Sequence, residues 1–151
     1  MEWSLAEGGA RLGEAGSVFV CDDTPSVRHL IRINLELEGY AVREADDGAV
    51  LVGELDRLIQ EGRTLPQVVI IDSQMHPNDG WWAIDQIRST PGLVDLPVIM
   101  VTASLQQHDR VQARAAGLDA FVGKPFDPDH LVALVGGFCQ HGRAFASRDR
   151  P

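Results

Sequence analysis

Three aspartates, one threonine and one lysine stand at the ends of short apolar runs in this 151-residue chain. Val18-Phe19-Val20-Cys21 leads into Asp22 and Asp23, and Val68-Val69-Ile70-Ile71 leads into Asp72. Val98-Ile99-Met100-Val101 ends at Thr102, and Ala120-Phe121-Val122-Gly123 ends at Lys124. Lys124 is the only lysine, against twelve arginines. A compact ammonium on a flexible stem is suited to meeting a small anion as a point charge. Carboxylates brought within about 4 Å repel by roughly 4 kcal/mol per pair at an effective dielectric near 20. Such a cluster shifts its pKa values or recruits a cation. Hard carboxylate oxygens completed by water favour Mg²⁺. A cation there can hold a phosphoryl donor, and an aspartate can itself accept the phosphoryl group. Thr102 and Lys124 can then steady the remaining phosphoryl oxygens. The residue types point to Mg²⁺-dependent phosphoryl chemistry on a carboxylate.

The runs that carry these groups are rich in β-branched residues and do not alternate, as expected of parallel strands buried on both faces. Amphipathic stretches separate them, which predicts repeated β-α units. In such sheets ligands bind beyond the carboxyl ends of the strands, so one rim receives all five groups. Strands are expected at about 17–22, 40–44, 67–71, 97–101 and 119–123. The first helix should begin with Thr24 as N-cap and Pro25 at its first position, and stop at Gly39. Its apolar stripe reads 27, 30, 31, 34 and 37, interrupted by Asn34. Three further helices are expected at about 49–60, 80–89 and 105–116, and a fifth starts at Asp127-Pro128. Gly136-Gly137 would cost that fifth helix about 1 kcal/mol per glycine relative to alanine, predicting a short or frayed element.

Length suits one domain with a normal core. Residues 1–16 read as a poorly ordered leader, 17–140 as the domain and 141–151 as a short tail whose Arg143, Arg148 and Arg150 are solvated. A formal charge of −9 argues against nucleic-acid binding. No targeting stretch and no membrane-length apolar run is visible, and two cysteines suit a reduced, cytoplasmic protein without a disulfide. The five histidines lack metal-ligand spacing. Gly117 to Lys124 is no P-loop, because Pro125 stands where Ser or Thr is needed. The glycines at 8, 9 and 13 follow no strand and make no dinucleotide fingerprint.

Several motifs in order make the chain resemble the receiver domain of bacterial two-component response regulators, of the single-domain, CheY-like type. They are Val-Cys-Asp-Asp-Thr-Pro-Ser-Val-Arg at 20–28, Leu-Glu-Leu-Glu-Gly-Tyr at 35–40 and Glu-Ala-Asp-Asp-Gly at 44–48. Ile-Asp-Ser-Gln-Met at 71–75, Asp-Gly at 79–80, Val-Thr-Ala at 101–103 and Gly-Lys-Pro-Phe at 123–126 complete the set. The resemblance implies a flavodoxin-like, doubly wound α/β fold: five parallel strands in order 2-1-3-4-5, flanked by five helices. It implies Asp72 as phosphoacceptor, with Asp22, Asp23, Asp72 and the Gln74 backbone carbonyl holding Mg²⁺. Thr102 and Lys124 would contact the phosphoryl group, Phe121 would act with Thr102 as an aromatic switch, and the Lys124-Pro125 bond would be cis. The implied partners are a histidine kinase or phosphotransfer protein and a downstream protein. The implied signalling surface is the fourth strand, fourth helix, fifth strand and fifth helix, whose last three elements would also serve dimerisation. Membranes and nucleic acid are not among the implied partners, and the chain would be a signalling protein rather than an enzyme.

The departures are local. His76 stands where the family usually carries proline and could touch the site, and Ser104 and Gln74 hold positions that tune phosphoryl lifetime. Phe121 lacks the hydroxyl of the frequent tyrosine. Trp81 fits a core-facing place, whereas Trp82 falls where a polar residue is usual and is either a partly covered surface aromatic or a partner anchor. Met1 and the short tail favour a complete or nearly complete stand-alone receiver. The alternatives are a fragment of a larger regulator with an output domain, a phosphorylation-independent interaction module, and an aspartyl phosphatase. The phosphatase is disfavoured because Gln74 replaces the needed second acid.

Overall fold

The computed structural model describes residues 13–103 and 107–148. The elements are β1 (Gly16–Cys21), α1 (Pro25–Leu37), β2 (Tyr40–Ala45), α2 (Gly48–Gln60), β3 (Val68–Asp72), α3 (Gly80–Ser89), β4 (Val98–Thr102), α4 (Gln107–Ala116), β5 (Ala120–Gly123) and α5 (Pro128–His141). A 3₁₀ turn, Gly142–Ala144, and a four-residue helix, α6 (Phe145–Arg148), follow. All strand pairs are parallel and the order is β2-β1-β3-β4-β5.

The strands feed two apolar layers. Phe19, Cys21, Val69, Ile71, Val98 and Met100 point to one face, against Leu51 and Leu55 of α2 and Ala83, Ile84 and Ile87 of α3. Val18, Val20, Val68, Ile70, Ile99 and Val101 point to the other, against Ile31 and Leu35 of α1 and Leu131, Val135 and Phe138 of α5. Alternate side chains therefore enter opposite cores, which is why these runs show no polar alternation.

Local chemistry starts the helices. Asp47 accepts from the Ala49 N–H at 2.6 Å, Asp79 from Trp82 N–H at 2.9 Å and Asp127 from Asp129 N–H at 2.9 Å. Thr24 occupies the N-cap position of α1, but its hydroxyl makes no capping bond. Instead its own N–H donates to Asp22 Oδ1 at 2.9 Å, tying the helix start to the acidic cluster.

Three expectations need correction. The core face of α1 is Val27, Ile31 and Leu35, while Leu30, Ile33 and Leu37 are exposed; the stripe's phase was set by tertiary packing. α5 runs unbroken through Gly136 and Gly137 for 14 residues. The Phe145 ring lies where a Cβ on Gly137 would be, and it packs edge-on against Phe138 at 5.1 Å, so the glycine admits a ring onto the helix. Arg143 is not a solvated tail residue. Its guanidinium donates to Asp119 Oδ1 at 2.8 Å and to the carbonyls of Val94 and Gly117 at 3.1 and 3.3 Å. Asp119 also accepts from Arg88 at 2.8 Å and from the Val98 N–H at 2.9 Å, which pins the amino ends of β4 and β5. Residues 1–12 of the expected leader lie outside the described residues, and Gly16 already begins β1. Among the described residues no helix is long and apolar enough to cross a membrane.

Candidate functional site: an acidic pocket at the strand ends

The parallel sheet delivers the ends of four of its five strands to one rim. β1 hands the chain to Asp22 and Asp23, β3 ends on Asp72, β4 ends on Thr102 and β5 hands on to Lys124. Asp22, Asp72 and Thr102 are only 2%, 5% and 1% exposed, whereas Asp23 is open to solvent. One carboxylate oxygen from each of Asp22, Asp23 and Asp72 lies within 4.8 Å of the other two. The Lys124 ammonium reaches between two of them, 3.3 Å from Asp22 Oδ2 and 3.4 Å from Asp72 Oδ2.

The backbone fixes this arrangement. Asp22 Oδ1 is held by the Thr24 N–H, and its carbonyl accepts from Arg28 at 2.7 Å. Asp72 Oδ1 accepts from the Gln74 N–H at 3.3 Å. Burial pushes the Asp72 carboxyl above the ordinary range and Asp22 adds to the push, while the Gln74 N–H and Lys124 oppose it without cancelling it. Burial is the larger cause, and the Asp22 carboxylate beside it is negative charge that a bound cation would offset. An all-oxygen donor set, half-buried and open to water at Asp23, fits a hard divalent ion such as Mg²⁺. Cys21, one residue before the cluster, is no nucleophile: burial first, then Asp47 and Asp22, raise its thiol far above the usual range.

Beside the carboxylates lies a cavity of about 470 Å³ lined by Ser73, Gln74, Met75, His76, Asp79, Trp81, Thr102 and Phe121. Trp81 and Phe121 meet there at 6.5 Å between ring centroids. His76 is exposed on its edge, and the His76-Pro77 and Lys124-Pro125 bonds are both cis. Trp82 is 37% exposed on the outer side of α3.

Residues 18–136 match the model of the response regulator receiver domain. The chain belongs to that family. Family members are signalling proteins rather than enzymes, and receivers are phosphorylated by histidine kinases. The receiver is 34% identical over 122 residues to an uncharacterised 14.6 kDa protein of Leptolyngbya boryana, covering 81% of this chain and 88% of that one. It is 31% identical over 123 residues to the DNA-binding dual master transcriptional regulator RpaA of Synechocystis, covering 78% of this chain and 46% of RpaA. The chain spans about half the length of most of the curated regulators it matches. Its fold matches the receiver domain of the sensor histidine kinase PA1611 of Pseudomonas aeruginosa, solved with magnesium in the active-site cleft. That likeness has a TM-score of 0.71 at 24% identity and covers 85% of this chain and 98% of the other.

The receiver's pocket brings together Asp22, Asp23, Asp72 and Lys124, with Thr102, Gln74, Phe121 and His76 around it. Ser104 lies outside the described residues. Sequence reasoning passed over Ser73, whose hydroxyl donates to Thr102 Oγ1 at 2.7 Å. A polar residue between the buried Asp72 and the core residue Met75 was the available signal.

Proposed function

We propose that this receiver accepts a phosphoryl group on Asp72 and passes the change on through protein contacts. The observation that carries the reading is the buried Asp72 carboxylate at the end of β3, within 4.8 Å of two further carboxylate oxygens and 3.4 Å from Lys124. An Asp72 oxygen attacks the phosphorus of a phosphohistidine on a kinase or phosphotransfer protein. The new O–P bond forms as the N–P bond breaks, and its electron pair returns to the imidazole nitrogen. Asp22, Asp23, Asp72 and the Gln74 carbonyl would hold Mg²⁺, which supplies positive charge to the transferring oxygens. Lys124 and Thr102 bond two of those oxygens, and their pull on Thr102 is felt at Phe121 across the shared cavity. Output then runs through the β4-α4-β5-α5 face, with α4-β5-α5 available for dimerisation. A charge of −9 and the lack of a membrane-length helix among the described residues suit a cytoplasmic protein that engages proteins rather than nucleic acid.

A second reading, a receiver that serves a longer transcriptional regulator, is favoured by the span of only 46% of RpaA. The 88% span of the Leptolyngbya protein favours the stand-alone form.

Intact mass after incubation with acetyl phosphate tests the chemistry. One phosphoryl adduct that needs both Mg²⁺ and Asp72, absent in Asp72→Ala, is expected. No adduct on the folded protein would refute the reading and leave a phosphorylation-independent interaction module on the same fold.

A further inference from the structure

The bond between the Ser73 and Thr102 hydroxyls, which joins the ends of β3 and β4, has no part in the proposed phosphoryl transfer. The register of the two strands ends at Asp72 opposite Val101, so Ser73 and Thr102 are the next residues out on neighbouring strands. Both are buried, and Ser73 Oγ donates to Thr102 Oγ1 at 2.7 Å. The Ser73 backbone has little freedom. Its N–H donates to the Val101 carbonyl at 3.3 Å and its carbonyl accepts from Gly80 N–H at 3.2 Å. Thr102 is β-branched and therefore has few χ1 positions. Ser73, Thr102 and Phe121 line the same cavity beside the carboxylates. The bond holds the Thr102 hydroxyl at Ser73, in the wall of that cavity. Thr102 Oγ1 accepts in this bond and keeps its own proton to donate, so a phosphoryl group on Asp72, which offers only acceptor oxygens, competes with Ser73 for the position of Oγ1 rather than for its proton.

We propose that Ser73 is a positioning residue that pins the Thr102 hydroxyl in the resting state, so that phosphoryl binding at Asp72 must compete with the Ser73–Thr102 bond. The proposal rests on the reading of Asp72 as phosphoacceptor. It assigns to the residue directly after the acceptor a part in setting the switching equilibrium. Thr102 keeps whatever other partners it has; only the hold from Ser73 is at issue.

The test is calorimetric titration with beryllofluoride, a phosphoryl stand-in, at saturating Mg²⁺. Loss of one hydroxyl bond from the resting state should tighten binding about fivefold in Ser73→Ala. Ser73→Val and Ser73→Thr differ only in methyl against hydroxyl. Val should behave like Ala, and Thr should stay within about twofold of the wild type. In a Thr102→Ala background, Ser73→Ala should change nothing further. Weaker or unchanged binding in Ser73→Ala would overturn the proposal, as would equal effects of Val and Thr or an effect that survives loss of the Thr102 hydroxyl. Failure of the folded wild type to bind beryllofluoride would instead overturn the phosphoacceptor reading, and the role of Ser73 with it.

Discussion

Replacing Gly80 by alanine adds a single methyl group at the start of α3, yet it should be among the more damaging small changes in the chain. A Cβ there would run into the Asp72 carbonyl oxygen and lie 3.1 Å from the Ser73 Cα. Both obstacles are backbone, so neither can rotate away. Alanine gains at most about 1 kcal/mol over glycine at this first helical position, whereas overpacking against fixed atoms costs about 1–3 kcal/mol. With backbone as the obstacle the upper end applies, for a net loss of about 2 kcal/mol. For a domain of this size that lowers the thermal midpoint by about 4–8 °C. Gly53→Ala is the internal control, since a Cβ on that helical glycine meets nothing within 4 Å. It should gain about 1 kcal/mol. Urea titrations followed by circular dichroism measure both. Because the displaced atoms belong to Asp72 and Ser73, Gly80→Ala should also slow phosphoryl uptake from acetyl phosphate at temperatures where it remains folded. A Gly80→Ala protein as stable as Gly53→Ala would show that α3 can slide freely on β3, and the packing argument would fail.

Asp72→Asn should be more stable than the wild type at neutral pH without Mg²⁺. The folded carboxyl titrates above its usual range, so its stabilising contribution is whole below about pH 3.9 and is lost as pH rises through the raised value. The advantage of Asn should therefore shrink as urea midpoints are taken down through the carboxylate range. Lys124→Ala removes the ammonium that stands 3.3 Å from Asp22 and 3.4 Å from Asp72. Calorimetry should show Mg²⁺ binding tighter by about tenfold, because the ion no longer shares those oxygens with a resident cation. Intact mass should show phosphoryl uptake slowed by about a hundredfold. Asp119→Ala leaves the largely covered Arg88 guanidinium without its paired carboxylate and should cost about 3 kcal/mol in urea unfolding. Removing its partly exposed partner instead, by Arg143→Ala, should cost about 1 kcal/mol or less.

The strand ends were legible because a doubly buried strand is an unbroken apolar run, and the first polar residue after it marks the rim. Asp22, Asp72, Thr102 and Lys124 could each be read in that way, and the sheet order followed from their resemblance to one family. What escaped was set by contacts between elements. The phase of α1 depends on which layer receives Ile31 and Leu35, and apolar residues at 30, 33 and 37 disguise it. The persistence of α5 through two glycines depends on Phe145, a ring that returns from beyond the helix. The link of Arg88 to Asp119 spans 31 residues and that of Asp119 to Arg143 spans 24, distances at which single-sequence spacing carries no signal. The Ser73–Thr102 bond joins strands across a gap of 29 residues in the same way.

The solitary lysine also makes the receiver a convenient object for amine chemistry. An acylating reagent or an amine-directed crosslinker has one side chain to find, Lys124, besides the terminal amine. That side chain is about one-fifth exposed and engaged with two carboxylates. Its labelling rate would thus report how crowded the pocket is, and any crosslink through it would identify a molecule lying over the pocket's mouth. Most proteins scatter such reagents over many lysines; here the map and the site coincide.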